Sequence, residues 1–205
     1  MEHAGRTGGL PFVGVGWYRT EFDVPQFQAG KRATILFDGA MSHANVYING
    51  QKVGYWPYGY NSFHFDITKY LKPGEKNTLA VRLENLPESS RWYPGARLYR
   101  NVHLIITEDA YIPVWGTYIT TPSVNEKFAK VNVRTKVVLP EGADPAKYSV
   151  ETSVWNPNKQ KLTAVRTSLA QMKYNNNQAE QEFVIQAPSL WSPEMPALYS
   201  AETRL

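Results

Sequence analysis

The run with the clearest chemical potential in the 205 residues is Ser90-Arg91-Trp92-Tyr93-Pro94-Gly95. A planar cation stands beside two aromatic rings, and Pro94-Gly95 then turns the chain. A sugar offers hydroxyls to planar or charged hydrogen-bonding groups and C–H faces to aromatic rings. Arg91, Trp92 and Tyr93 are therefore candidate sugar-binding residues. A plainer reading is packing, with Trp92 beneath its own loop and Arg91 against an acid of a neighbouring domain. Trp92 fits packing better, while Arg91 fits both. Trp56, Tyr58 and Tyr60 form a second aromatic set. They suit a sugar platform, or more simply a face that another domain covers.

Other chemistries are poorly supplied. The chain has no cysteine, which excludes a disulfide framework, a zinc ribbon and a thiol nucleophile. His3, His43, His64 and His103 lack metal-ligand spacing, so no metal is expected and no cofactor is implied. His64 and His103 fall on the polar register of their strands and read as surface imidazoles. No serine–histidine–acid triad can be argued from spacing. Basic residues number 22 and acidic ones 18, a net charge of +4. Arg91, Arg97 and Arg100, then Lys127, Lys130, Arg134 and Lys136, form loose basic sets. They are interspersed with acids and carry no recognition motif, so no nucleic-acid partner is expected.

Strands must position the candidate residues. Ala44, Val46 and Ile48 alternate with polar or aromatic neighbours, as do Phe63, Phe65 and Ile67. So do Leu79, Val81 and Leu83, then Val102, Leu104 and Ile106. Side chains two apart share one face of a strand, so each set suits a half-buried sheet. Asn49-Gly50 between two such runs predicts a type I′ hairpin. The best helical signal is Asp66 to Leu71, where Asp66 is placed to cap one short turn before Pro73-Gly74 ends it. Beyond Glu108-Asp109-Ala110 the alternation resumes in Val131, Val133, Thr135 and Val137, then in Tyr148, Val150, Thr152 and Val154. The polar stretch from Tyr174 to Gln181 reads as a hairpin tip before Phe183-Val184-Ile185. The expected fold is all-β, a jelly-roll β-sandwich over 10–108 followed by an immunoglobulin-like β-sandwich over 109–205. Residues 1–9 are expected to be a flexible N-terminal segment. No apolar run approaches the ~20 residues that cross a bilayer, and the start lacks the apolar segment of a signal peptide. A soluble chain with no membrane partner is expected.

The motifs, in order, resemble the N-terminal region of family 2 glycoside hydrolases. Gly16-Trp17-Tyr18-Arg19 with Glu21-Phe22 resembles the first strand of its sugar-binding domain. Phe37-Asp38-Gly39, then Val46 through Gly54, continue in family order, as do Gly59 through Phe63, Phe65 through Thr68, and Asn77 through Arg82. Ser90 through Gly95, closing with Leu98-Tyr99-Arg100-Asn101-Val102, resembles its most recognisable N-terminal motif. Leu190-Trp191-Ser192-Pro193-Glu194 and Pro196-Ala197-Leu198-Tyr199 resemble the end of the following immunoglobulin-like domain. The resemblance covers about residues 10 to 205, and β-galactosidase-like members look nearest. Arg97 departs from the family, which usually has glycine there.

The resemblance implies a non-catalytic part of a retaining glycosidase that acts on a carbohydrate substrate. In the family a catalytic (β/α)₈ barrel begins soon after the position of Tyr199 and carries both glutamates. That barrel is the expected partner, and both ends of the chain read as cuts within a longer protein. The alternatives are a free-standing carbohydrate-binding module, or a part of a β-glucuronidase or β-mannosidase. The resemblance also places the loop of Arg91, Trp92 and Tyr93 at the edge of the sugar pocket. Retaining hydrolysis needs two carboxylates about 5 Å apart. Glu84, Glu88, Glu108 and Asp109 fall at strand ends or in loops and form no such pair, so no catalytic residue is assigned. A homo-oligomeric parent, in the cytoplasm or the periplasm, is compatible with this reading.

Overall fold

The computed structural model describes residues 14–26, 30–86, 97–170 and 178–205. The chain divides into two compact units, Met1–Glu108 and Asp109–Leu205. Among the described residues no helix is long and apolar enough to cross a membrane.

The first unit contains β1 (Gly14–Asp23), β2 (Arg32–Phe37), β3 (Ala40–Met41), β4 (Ala44–Ile48), β5 (Gln51–Trp56), β6 (Phe63–Asp66), β7 (Lys76–Asn85), β8 (Arg97–Leu98) and β9 (Val102–Thr107). One sheet runs β1-β7-β4-β5, a second runs β6-β2-β9, and β3 pairs with β8. The alternating residues meet between the two larger sheets. Val46, Ile48, Leu79, Val81 and Leu83 from one side pack with Ala33, Ile35, Phe37 and Phe63 from the other. Leu104 shares this inward register but stays exposed, because β9 is an edge strand.

Asn49 and Gly50 both have positive φ, 51° and 81°, as a type I′ turn requires. Gly50→Ala would meet no steric neighbour. Its expected cost is the left-handed backbone alone, about 1 kcal/mol, read as a small drop in denaturation midpoint. A cost above about 3 kcal/mol would show that this account of the turn is incomplete. Asp66 also acts as expected. Its Oδ1 accepts from Thr68 N at 2.9 Å and Thr68 Oγ1 at 2.6 Å, at the start of a 3₁₀ turn over Thr68–Tyr70. Gly54 lacks a Cβ where the Phe65 ring passes, which lets that ring lie against β5.

The second unit contains β10 (Thr117–Val124), β11 (Phe128–Lys136), β12 (Ser149–Trp155), β13 (Lys161–Ser168), β14 (Gln178–Gln186) and β15 (Ser200–Arg204). Two three-stranded sheets, β10-β11-β14 and β13-β12-β15, enclose Val131, Val133, Val154, Phe183 and Ile185. Part of the expected hairpin tip proves to be strand. Gln178 to Gln181 open β14, and Gln181 points inward. Its Oε1 accepts from Thr152 Oγ1 at 2.6 Å, and its Nε2 reaches Val150 O at 3.1 Å and Val165 O at 3.0 Å. A polar side chain is tolerated there because its hydrogen-bonding groups are met from β12 and β13. Tyr174 to Asn177, the rest of that tip, lie outside the described residues, as do residues 1–9.

Candidate functional site

Arg91, Trp92 and Tyr93 lie outside the described residues. Their flanks are the end of β7 and the start of β8. Both flanks adjoin the segment of residues 38–43, which contains β3. At β7, Glu84 N donates to Ser42 O and Ser42 Oγ donates to Glu84 O, both at 2.9 Å. At β8, Arg97 and Leu98 pair with Met41 and Ala40. Arg97, the departure from the family pattern, is exposed at this position.

Three loops are tied together beside these flanks, and Asp38 is their hub. Its N–H donates to Asn101 O at 3.0 Å. Its carbonyl accepts from Ser62 Oγ at 3.1 Å and Arg100 Nη1 at 3.2 Å. Its carboxylate Oδ2 lies 2.8 Å from His103 Nε2. Tyr99 OH donates to Gly59 O at 2.9 Å, and the Arg100 guanidinium lies 5.0 Å from the centre of the Tyr99 ring. Gly39 is needed here, since a Cβ would sit 2.7 Å from Tyr99 OH. His103 is exposed, as its register suggests, but its Nε2 is engaged by the Asp38 carboxylate. Asp38, Arg100 and His103 were not among the sequence candidates. The signals for Asp38 and Arg100 were the Phe37-Asp38-Gly39 and Tyr99-Arg100-Asn101 motifs, and for His103 its polar register; none of these carries pairing information.

The arrangement can bind and shape, but it supplies no hydrolytic pair. Asp38 has an imidazole at its side, not a second carboxylate, and Glu84 is engaged by Arg82. Among the described residues no group of three His, Cys, Asp or Glu could hold a metal. Of the second aromatic set, Tyr58 and Tyr60 are exposed and lie 5.6 Å apart, tilted by 59°. Trp56 does not join them. It stacks on Phe63 at 5.6 Å and packs, half-buried, against the core. In the second unit, a shallow depression between Asn156, Leu162, Leu190, Met195 and Tyr199 gathers the C-terminal motif. Tyr199 OH there accepts from Ser189 N at 2.8 Å, a structural bond.

The chain is thus two all-β units in this order, a jelly-roll sandwich and then an immunoglobulin-like one. Residues 11–113 match the sugar-binding domain of glycosyl hydrolases family 2, and residues 111–205 match a further family 2 domain. The chain belongs to family 2 of the glycosyl hydrolases. It is 39% identical to β-galactosidase BoGH2A of Bacteroides ovatus over 100% of this chain and 24% of that protein. It is 32% identical to a β-glucuronidase of Bacteroides fragilis over 94% of this chain and 29% of that protein. A solved family 2 member from Bacteroides cellulosilyticus superposes with a TM-score of 0.83 at 31% identity, over 98% of this chain and 26% of the other. The chain thus spans about a quarter of the length of the relatives it matches.

Proposed function

We propose that the chain forms the non-catalytic N-terminal part of a retaining glycosidase acting on β-galactosides. Residues 10–108 are its sugar-binding domain and 109–205 its immunoglobulin-like domain. The observation that carries this reading is the identity of 39% to β-galactosidase BoGH2A along the whole chain. The secured flanks of the Arg91 loop support it, because Ser42 holds Glu84 on one side and β3 pairs with β8 on the other. In this reading the catalytic carboxylates belong to a barrel outside these 205 residues. Arg91, Trp92 and Tyr93 border its sugar pocket.

The test compares the natural full-length protein with residues 1–205 alone. On nitrophenyl glycosides, the full-length protein is expected to prefer β-galactoside over β-glucuronide by about tenfold or more in kcat/KM. A reversed preference would replace the galactoside by a glucuronide. Residues 1–205 are expected to hydrolyse neither, and activity that follows them through purification would overturn the non-catalytic role.

A further inference from the structure

The outward face of the β1-β7-β4-β5 sheet carries one continuous row. Trp17 of β1 stands opposite Arg82 of β7, Arg82 opposite Asn45 of β4, and Asn45 opposite Tyr55 of β5. Strands lie about 4.8 Å apart, so the row spans roughly 14 Å. Its two ends are aromatic and its middle is a guanidinium and an amide. The face is outward because its neighbours Val46 and Val81, one residue away, are fully buried on the other side. Trp17 is 58% exposed and Tyr55 46% exposed.

Neighbours hold each member of the row in place. The Trp17 and Tyr47 rings lie 5.6 Å apart at 38°. Tyr55 OH lies 2.6 Å from His43 Nδ1. Asn45 Nδ2 donates to His43 O at 3.1 Å, which orients the amide. Arg82 is paired with Glu84, so the middle of the face is charge-balanced. Arg19 and Lys52 lie at its margins, beside Ala80 and Tyr47.

The chemistry of the row selects its occupant. An apolar protein surface would take the Arg82–Glu84 ion pair and the Asn45 amide out of water with nothing to offer them in return, which is costly. A nucleic acid would meet, in the middle of the row, a guanidinium already neutralised by Glu84, where its phosphates need free cations. A neutral sugar chain meets neither obstacle. Its C–H faces can stack on the two aromatic ends, and its hydroxyls can both donate to Glu84 and accept from Arg82. We infer that this sheet face is a second glycan-binding surface, which holds a neutral oligosaccharide along Trp17, Arg82, Asn45 and Tyr55. It goes beyond the Arg91 loop and does not depend on which glycoside the parent hydrolyses.

Affinity electrophoresis of the full-length protein tests it, in gels containing soluble galactan, arabinoxylan, galactomannan or mixed-linkage β-glucan. At least one gel is expected to retard the protein. Trp17→Ala should weaken that retardation about tenfold, while Trp17→Phe retains most of it. Trp191→Ala, an exposed tryptophan of the other unit, should leave it unchanged. Hydroxyl-radical oxidation read peptide by peptide should modify Trp17 in the free protein and spare it when the retaining glycan is bound. No retardation in any gel would overturn the inference, as would equal retardation of Trp17→Ala. So would a Trp17 that resists oxidation in the free protein, since the rest of the chain would then cover the face.

Discussion

Asn77→Ala is expected to destabilise the first unit by about 4 kcal/mol. Asn77 is 1% exposed and its amide uses every hydrogen bond it can make. Oδ1 accepts from Lys72 N at 2.8 Å and from Asn49 Nδ2 at 2.7 Å. Nδ2 donates to Lys72 O and to Glu75 O, both at 2.9 Å. Each bond contributes about 1 kcal/mol net, and the estimate is their sum. Small domains are stable by only about 5–15 kcal/mol, so the loss is a large share. The amide closes the Pro73-Gly74 turn and, through Asn49, fixes the tip of the β4–β5 hairpin. Asn49 in turn donates to Tyr70 O and accepts from Thr78 N, each at 2.9 Å. Asn77→Asp should be no milder, because a carboxylate keeps the acceptors but faces the Lys72 and Glu75 carbonyls without a donor. Urea denaturation of both variants checks this, and a loss below about 1 kcal/mol would mean water replaces the amide. Asn49→Ala combined with Asn77→Ala should cost less than the two losses added, since they share a bond.

This amide also marks where the sequence was readable and where it was not. Ala44, Val46 and Ile48 announced their inward face because a sandwich strand buries every second side chain. Asn49-Gly50 announced its turn because few residue pairs accept positive φ twice. Asn77 stands on the inward register of Leu79, Val81 and Leu83, and Gln181 on that of Ala179, Phe183 and Ile185. A polar residue on an apolar register was the available signal, but alternation gives no means of naming the partner 28 or 29 residues away. Gln181 was therefore read as part of a tip. Trp56 was grouped with Tyr58 and Tyr60 by closeness in sequence. Its pairing with buried Ala44 sends it to the core instead. The row from Trp17 to Tyr55 was invisible for a different reason. It draws one residue from each of four strands, and only the sheet order β1-β7-β4-β5 brings them side by side. Of the candidate site, the sequence supplied the Arg91 loop and the family it resembles. The Asp38 hub beside that loop joins residues up to 65 apart and required the fold.

In the full-length enzyme, Arg91→Ala is expected to lower kcat/KM by roughly 10- to 150-fold while changing stability little. The expectation rests on the proposed place of Arg91 at the sugar pocket, in the motif Ser90-Arg91-Trp92-Tyr93-Pro94-Gly95. A charged hydrogen bond to substrate contributes about 1.5–3 kcal/mol, which converts to that range. A guanidinium can hold two oxygens at once, either of the sugar or of a barrel carboxylate that it orients. Arg91→Lys separates these properties, because lysine keeps the charge and loses the fork. If geometry matters, the lysine variant should recover only a small part of the activity. If charge alone matters, it should recover most of it. An arginine that merely braces an interface behaves differently from both. Its removal would lower the melting temperature and leave kcat/KM of the folded fraction near that of the parent. The loop flanks make the first outcome the expected one. They are already secured by Ser42 on Glu84 and by the β3–β8 pairing, so Arg91 is not needed to hold them. Measuring melting temperature and kinetics on both variants decides the matter. A destabilised but kinetically normal Arg91→Ala would remove this residue from the sugar pocket and leave the Arg91 loop a purely structural element.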